Sequence, residues 1–186
     1  MRIIFVISLL SIFAFTINKN ADTNATKHPA IKWCKGHQLN WKDFKGRVPV
    51  SSYNAAQTAY EVGFDVNMVG NEFKFIVTCN FLPHRSWVRK KDASDHILRH
   101  EQLHFDIAEI HARRMRKELK NANITPRNLQ TKADKIYKKN WDALVQMQKD
   151  YDRESNHSIN RKEQAQWDKK IMRLLGENLK YASECK

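Results

Sequence analysis

The chain has 186 residues, a formal charge of +13 at neutral pH and three cysteines. That length accommodates one domain with a sizeable core, and three cysteines allow a single intramolecular bridge with one thiol left over. The lysines and arginines are scattered beside glutamate and aspartate and no nucleic-acid motif accompanies them, which excludes nucleic-acid binding.

The N-terminus combines Arg2 with an almost unbroken apolar run over residues 3–15, and polar sequence resumes at Asn18. This run is too short to span a bilayer with ease and reads as a secretory signal peptide over residues 1–20. Cleavage falls in the region of residues 21–25, and an uncleaved N-terminal anchor is the alternative. Loss of residues 1–20 leaves a charge of +11, and no later segment is apolar enough for stable membrane insertion. Export places the protein in the periplasm or outside the cell, where disulfides are permitted. Pairing Cys34 with Cys185 would tie the two ends of the domain and leave Cys79 as a small buried hydrophobe. An unbridged chain is the other reading.

Residues 33–49 mix Trp41, Phe44 and Val48 with Gly36, Gly46 and Pro49, a pattern of short strands and turns. Tyr60, Val62, Phe64 and Val66 then alternate with polar or small residues, and Phe73, Phe75, Val77, Cys79 and Phe81 do so again. Period-two alternation with Gly70 and Asn71 between the runs predicts an antiparallel hairpin. Ser86-Trp87-Val88 adds a short extended piece after Pro83. The period next becomes helical over residues 94–119, with Ser94 or Asp92 as the cap. A second helix is predicted from Thr125-Pro126 towards Tyr151. A third follows Asn160, with Glu163 as capping-box partner, and runs to Gly176. Strands first and helices afterwards give an α+β fold, an N-terminal antiparallel sheet packed on the first helix with two more behind it, in a single domain over residues 33–182.

The first helix carries His100-Glu101-Gln102-Leu103-His104. Histidines four apart project from one helical face and can hold one Zn²⁺, with Glu101 beside them as a base for an activated water. A catalytic zinc takes a third protein ligand. His111 lies on the same face but about 10 Å further along the axis, too far to share the metal. Asp106 and Glu109 point away from the histidine face and suit packing or supporting roles, bonded to Arg113 or to sequence outside the helix. His157, in a polar segment between the later helices, can fold back as the third ligand. Tyr151 can offer a phenol to a developing oxyanion. His96, four before His100, is a weaker alternative ligand.

The string Ile97-Leu98-Arg99-His100-Glu101-Gln102-Leu103-His104-Phe105-Asp106-Ile107-Ala108-Glu109, with Ala112-Arg113, resembles the centre of a bacterial domain-of-unknown-function family (DUF922-type) described as secreted zinc-dependent proteases. The resemblance extends to Leu39-Asn40-Trp41-Lys42-Asp43-Phe44-Lys45-Gly46, to Ser86-Trp87-Val88, to Tyr151-Asp152 with His157, and to Gln164 or Gln166 with Trp167, about residues 38–175 in all. It implies a zincin-like fold, His100, His104 and His157 as zinc ligands, and Glu101 as general base. Ser155 and Ser158 depart from the pattern, where threonine and glycine are usual, and the missing glycine bears on the loop that carries His157. The implied activity is peptide hydrolysis by a secreted metalloprotease, with the residue 73–81 strand offering its edge to a peptide or protein substrate. The alternatives are a non-catalytic zinc-binding envelope protein, or an amidase acting on a cell-wall crosslink, for which the basic charge would suit an acidic envelope polymer.

Overall fold

The two alternating runs form the longest strands of the computed structural model, which describes residues 28–70 and 72–183. They are β3 (Tyr60–Val69) and β4 (Glu72–Phe81), and β1 (Ile31–Lys32) and β2 (Ala56–Gln57) precede them. β3 and β4 pair antiparallel from Tyr60 opposite Phe81 to Val69 opposite Glu72. Gly70 turns the hairpin at φ +59°, a left-handed conformation that costs glycine nothing. β1 adds to the other edge of β4, giving the order β1-β4-β3. A separate two-stranded ladder joins β2 to β5 (Trp87–Val88), with Ala56 opposite Val88 and Gln57 opposite Trp87.

Three helices follow: α1 (Asp95–Asn121), α2 (Leu129–Ser155) and α3 (Arg161–Glu177). The α+β order read from the sequence is therefore present, an antiparallel sheet followed by three helices. Ser94 caps α1 by accepting from Ile97 N–H, and Asn160 caps α3 by accepting from Glu163 N–H, both as expected. The second helix starts later than Thr125-Pro126 predicts. Asn128 Oδ1 accepts from Thr125 N–H and Asn128 N–H donates to Thr125 O, so a local turn takes these backbone groups before the helix begins.

No strand forms in residues 33–49. Instead a 3₁₀ turn over Trp41–Asp43 is closed by reciprocal bonds between Asn40 and Asp43, which satisfy the backbone locally. Residues 1–20, the expected signal peptide, lie outside the described residues, as does Cys185. Cys34 is disulfide-bonded and Cys79 is a free, fully buried thiol. Among the described residues no helix is long and apolar enough to cross a membrane.

α1 is the centre of the molecule. Between His100 and Arg113 only His104 is not buried, because the sheet covers one side of the helix and α2 and α3 cover the other. Val62, Val77, Cys79 and Phe81 of the sheet pack with Phe105, Ile107 and Ile110 of α1 in one core. Each such side chain contributes roughly 1.5–3 kcal/mol by leaving water. A helix covered on all sides must also satisfy its polar residues. Asp106 accepts from Trp33 Nε1 at 2.8 Å and from Gln102 Nε2 at 2.9 Å. Glu109 pairs with Arg113 at 3.0 Å and Arg116 at 2.9 Å. Both acids thus serve packing and support, away from the histidine face.

Candidate metal centre

Helical spacing brings the two histidines of α1 together. His100 Nε2 and His104 Nε2 lie 3.1 Å apart, with the rings nearly perpendicular. The last turns of α2 pack across them and deliver Asp152, whose Oδ1 is 3.3 Å from His100 Nε2 and 3.1 Å from His104 Nε2. These three donors form the one group among the described residues close enough to share a metal ion. A tetrahedral zinc with ligands at about 2.0–2.1 Å separates them by about 3.3 Å. The observed triangle has that size, so the residues present fit the ion.

Neighbouring groups fix the ligand rings. Gln148, one turn before Asp152 on α2, accepts from His104 Nδ1 at 2.5 Å and returns a bond from its Nε2 to His104 O at 2.9 Å. The amide oxygen can only accept, so the His104 proton sits on Nδ1 and Nε2 is the atom turned to the triangle. The Tyr151 ring stacks on His100 at 4.6 Å between centroids, while its hydroxyl lies 3.5 Å from His100 O. Tyr151 is 0 % exposed. Its hydroxyl is therefore directed at the helix backbone, where the sequence suggested contact with a substrate oxygen.

The charges are strongly coupled. Burial opposes a proton on His104, but the Asp152 carboxylate outweighs it and holds the imidazole up at about 9. Burial likewise opposes charge on Asp152, and the two histidines overcome it and keep the carboxyl well below its usual range. His100 is lowered, chiefly by burial. A carboxylate set against two imidazoles favours positive charge at this point, which a bound cation can supply in place of a proton.

Glu101 is 4 % exposed and faces the same cleft. Its Oε2 has no hydrogen-bond partner among the described residues, while its backbone oxygen accepts from Thr58 Oγ1 at 3.1 Å. The cleft has a volume of about 600 Å³. Residues 55–59 form one wall and His157, Ser158 and Ile159 another. Among the described residues no lysine or arginine lines it.

His157 follows the end of α2 and is 61 % exposed, with Nδ1 3.6 Å from Asp152 Oδ1. It approaches the same Asp152 oxygen that faces the two histidines, and it is not one of the three clustered donors. His96 is engaged elsewhere, its Nε2 donating to Ser158 O at 2.6 Å. His111 is 1 % exposed, and neither ring nitrogen has a partner among the described residues. Sequence reasoning thus placed two of the three clustered donors and missed Asp152, the third, and Gln148, which orients His104. The available signal was their spacing, since residues 148, 151, 152 and 155 share one face of α2.

The edge strand expected over residues 73–81 does not serve the cleft. β4 is the central strand of its sheet and none of its residues lines the cavity. The segment that does is β2. Arg89 N–H donates to Ala55 O at 2.8 Å, which sets the pleat and turns the backbone groups of Ala56 and Thr58 away from β5.

No curated protein and no solved structure matches the chain. One family model does, described as "Bacterial protein of unknown function (DUF922)", over residues 82–158. That stretch contains both clustered histidines, Glu101, Gln148, Asp152 and His157, and the similarity covers this part of the chain alone.

Proposed function

We propose that the chain is an exported zinc-dependent peptidase. The observation that carries this reading is the triangle of His100, His104 and Asp152 donor atoms beside the unpartnered carboxylate oxygen of Glu101. His100 and His104 hold the ion. Asp152 provides the third donor, and the exposed His157 side chain, with Nδ1 3.6 Å from Asp152 Oδ1, is close enough to join the set on rotation.

Zinc bound there supplies a Lewis acid that lowers the pKa of water to near 7. Glu101 takes the proton of the attacking water and passes it to the leaving amine. Tyr151 keeps the His100 ring in place by stacking. The backbone groups of Ala56 and Thr58 receive the substrate as an added extended strand, which favours a peptide. A cleft with Glu101 and Asp152 in its wall, and with no lysine or arginine there among the described residues, does not suit an acidic polymer. The disulfide at Cys34 and the apolar run over residues 3–15 support export.

The test is zinc content by elemental analysis together with hydrolysis of a peptide library. His104→Ala is expected to lose metal and turnover together. Glu101→Gln is expected to keep zinc and lose at least about 100-fold in turnover. Undiminished hydrolysis by Glu101→Gln protein would remove the role assigned to that residue. Zinc uptake without hydrolysis of any peptide would favour a non-catalytic zinc-binding protein.

A further inference from the structure

Asn156, His157 and Ser158 are successive non-glycine residues with left-handed backbones, at φ +47°, +49° and +74°. Side chains disfavour this region, and a run of it persists only where the surroundings impose it. Part of the cause is local. Asn156 is the left-handed cap of α2, and His157 N–H donates to Asp152 O at 2.9 Å. At the far end Asn160 N–H donates to Ser155 O at 2.8 Å.

The middle of the turn is held from a different helix. His96, in the first turn of α1, donates from Nε2 to Ser158 O at 2.6 Å. Gln164 of α3 braces that histidine. Its Nε2 donates to His96 O at 3.2 Å and stands 3.5 Å from His96 Nδ1. An amide donor facing Nδ1 meets a lone pair there and leaves the ring proton on Nε2, where Ser158 O receives it. The turn so held is the one that sets His157 against Asp152.

We propose that His96 is a positioning residue that latches the 156–158 turn through Ser158 and so presents His157 to the metal centre, with Gln164 selecting the required tautomer. This rests on the reading of the His100, His104 and Asp152 cluster as a zinc site. His96 itself is no ligand. Its effect passes entirely through His157, and that gives it a signature different from a general loss of stability.

The experiment measures zinc affinity and the visible spectrum of the cobalt(II) form for the full mature chain and for His96→Leu, His157→Ala and the double variant. His96→Leu is expected to weaken zinc binding by about 10–100-fold, as loss of a supporting contact does. It should also shift the cobalt bands in the same way as His157→Ala. The double variant should lose no more than His157→Ala alone. His96→Gln, which keeps a donor at similar reach, should restore affinity and spectrum. Should His96→Leu not fold, His96→Asn carries the same test with a polar side chain too short to reach Ser158. Wild-type affinity and spectrum in His96→Leu or His96→Asn, or losses that add in the double variant, would overturn the latch alone. A wild-type chain that takes up no zinc would overturn the metal reading and the latch with it.

Discussion

His104 Nδ1 donates to Gln148 Oε1 at 2.5 Å, and this one contact decides which nitrogen of His104 faces the cleft. It joins the motif helix to the helix that carries Asp152, so the same packing that builds the core also orients the donor. Gln148 is 1 % exposed, so water cannot stand in for it.

Replacing Gln148 with leucine should therefore weaken zinc binding by about 10–100-fold while leaving the fold in place. Gln148→Glu should bind more tightly than Gln148→Leu, because a carboxylate still accepts the Nδ1 proton, but less tightly than wild type, because its second oxygen replaces the donor facing His104 O. Competition titration against a chromogenic chelator would measure both. Equal affinity for wild type and Gln148→Leu would show that the contact does not orient the ligand.

Ser158→Gly should stabilise the protein by about 1 kcal/mol. Its φ of +74° burdens any residue with a Cβ, and the left-handed region costs an L-residue roughly 1–2 kcal/mol that glycine does not incur. Part of that gain is offset by glycine's greater freedom in the unfolded chain. The carbonyl that His96 holds is retained, so zinc affinity should not fall. A shift of the urea midpoint at constant slope would report the change.

Below pH 6.5 the fold should weaken through His111. Burial lowers this imidazole to about 3, with Arg114 adding to the effect. The unfolded chain takes up a proton near 6.5 that the native state refuses until about 3. Stability thus falls as pH drops through that window, by at most about 1.4 kcal/mol per pH unit. His111→Leu should flatten this part of the profile, as read by urea midpoints between pH 6.5 and 4. An unchanged slope would assign the acid sensitivity to other groups.

Glu109→Gln should cost about 3–5 kcal/mol. Glu109 and Arg113 are 0 % and 1 % exposed, and loss of the carboxylate leaves a buried guanidinium without its counter-charge. Arg116 loses the same partner but keeps bonds to Val77 O and Tyr181 O. Chemical unfolding would measure the loss, and a cost below about 1 kcal/mol would show the pair to be dispensable.

Much of the framework was legible because local chemistry and tertiary packing agree there. The hairpin, the caps at Ser94 and Asn160 and the shared face of His100 and His104 all follow from period and spacing. β1 and β2 were not legible, since each has only two residues and owes its pairing to β4 or β5. Asp152 was hidden for a related reason. It belongs to a tyrosine–aspartate pair visible in the sequence, yet its proximity to His104 depends on how α2 crosses α1. The choice of His157 came from its polar segment between the later helices and then from a resemblance in sequence, and neither records which atom stands nearest to which. Tyr151 illustrates the same limit, as the sequence placed it near the site but did not show that its hydroxyl lies 3.5 Å from His100 O.

The enclosure of α1 has a consequence for how such a chain can change over time. One stretch of the helix faces the sheet with Phe105, Ile107 and Ile110 and the cleft with His100 and His104. Each residue advances a helix by about 100°. A single insertion or deletion between His104 and His111 would swing the ligands into the core or the core into the cleft. The two faces are thus locked in phase, and this segment can vary by substitution but not in length.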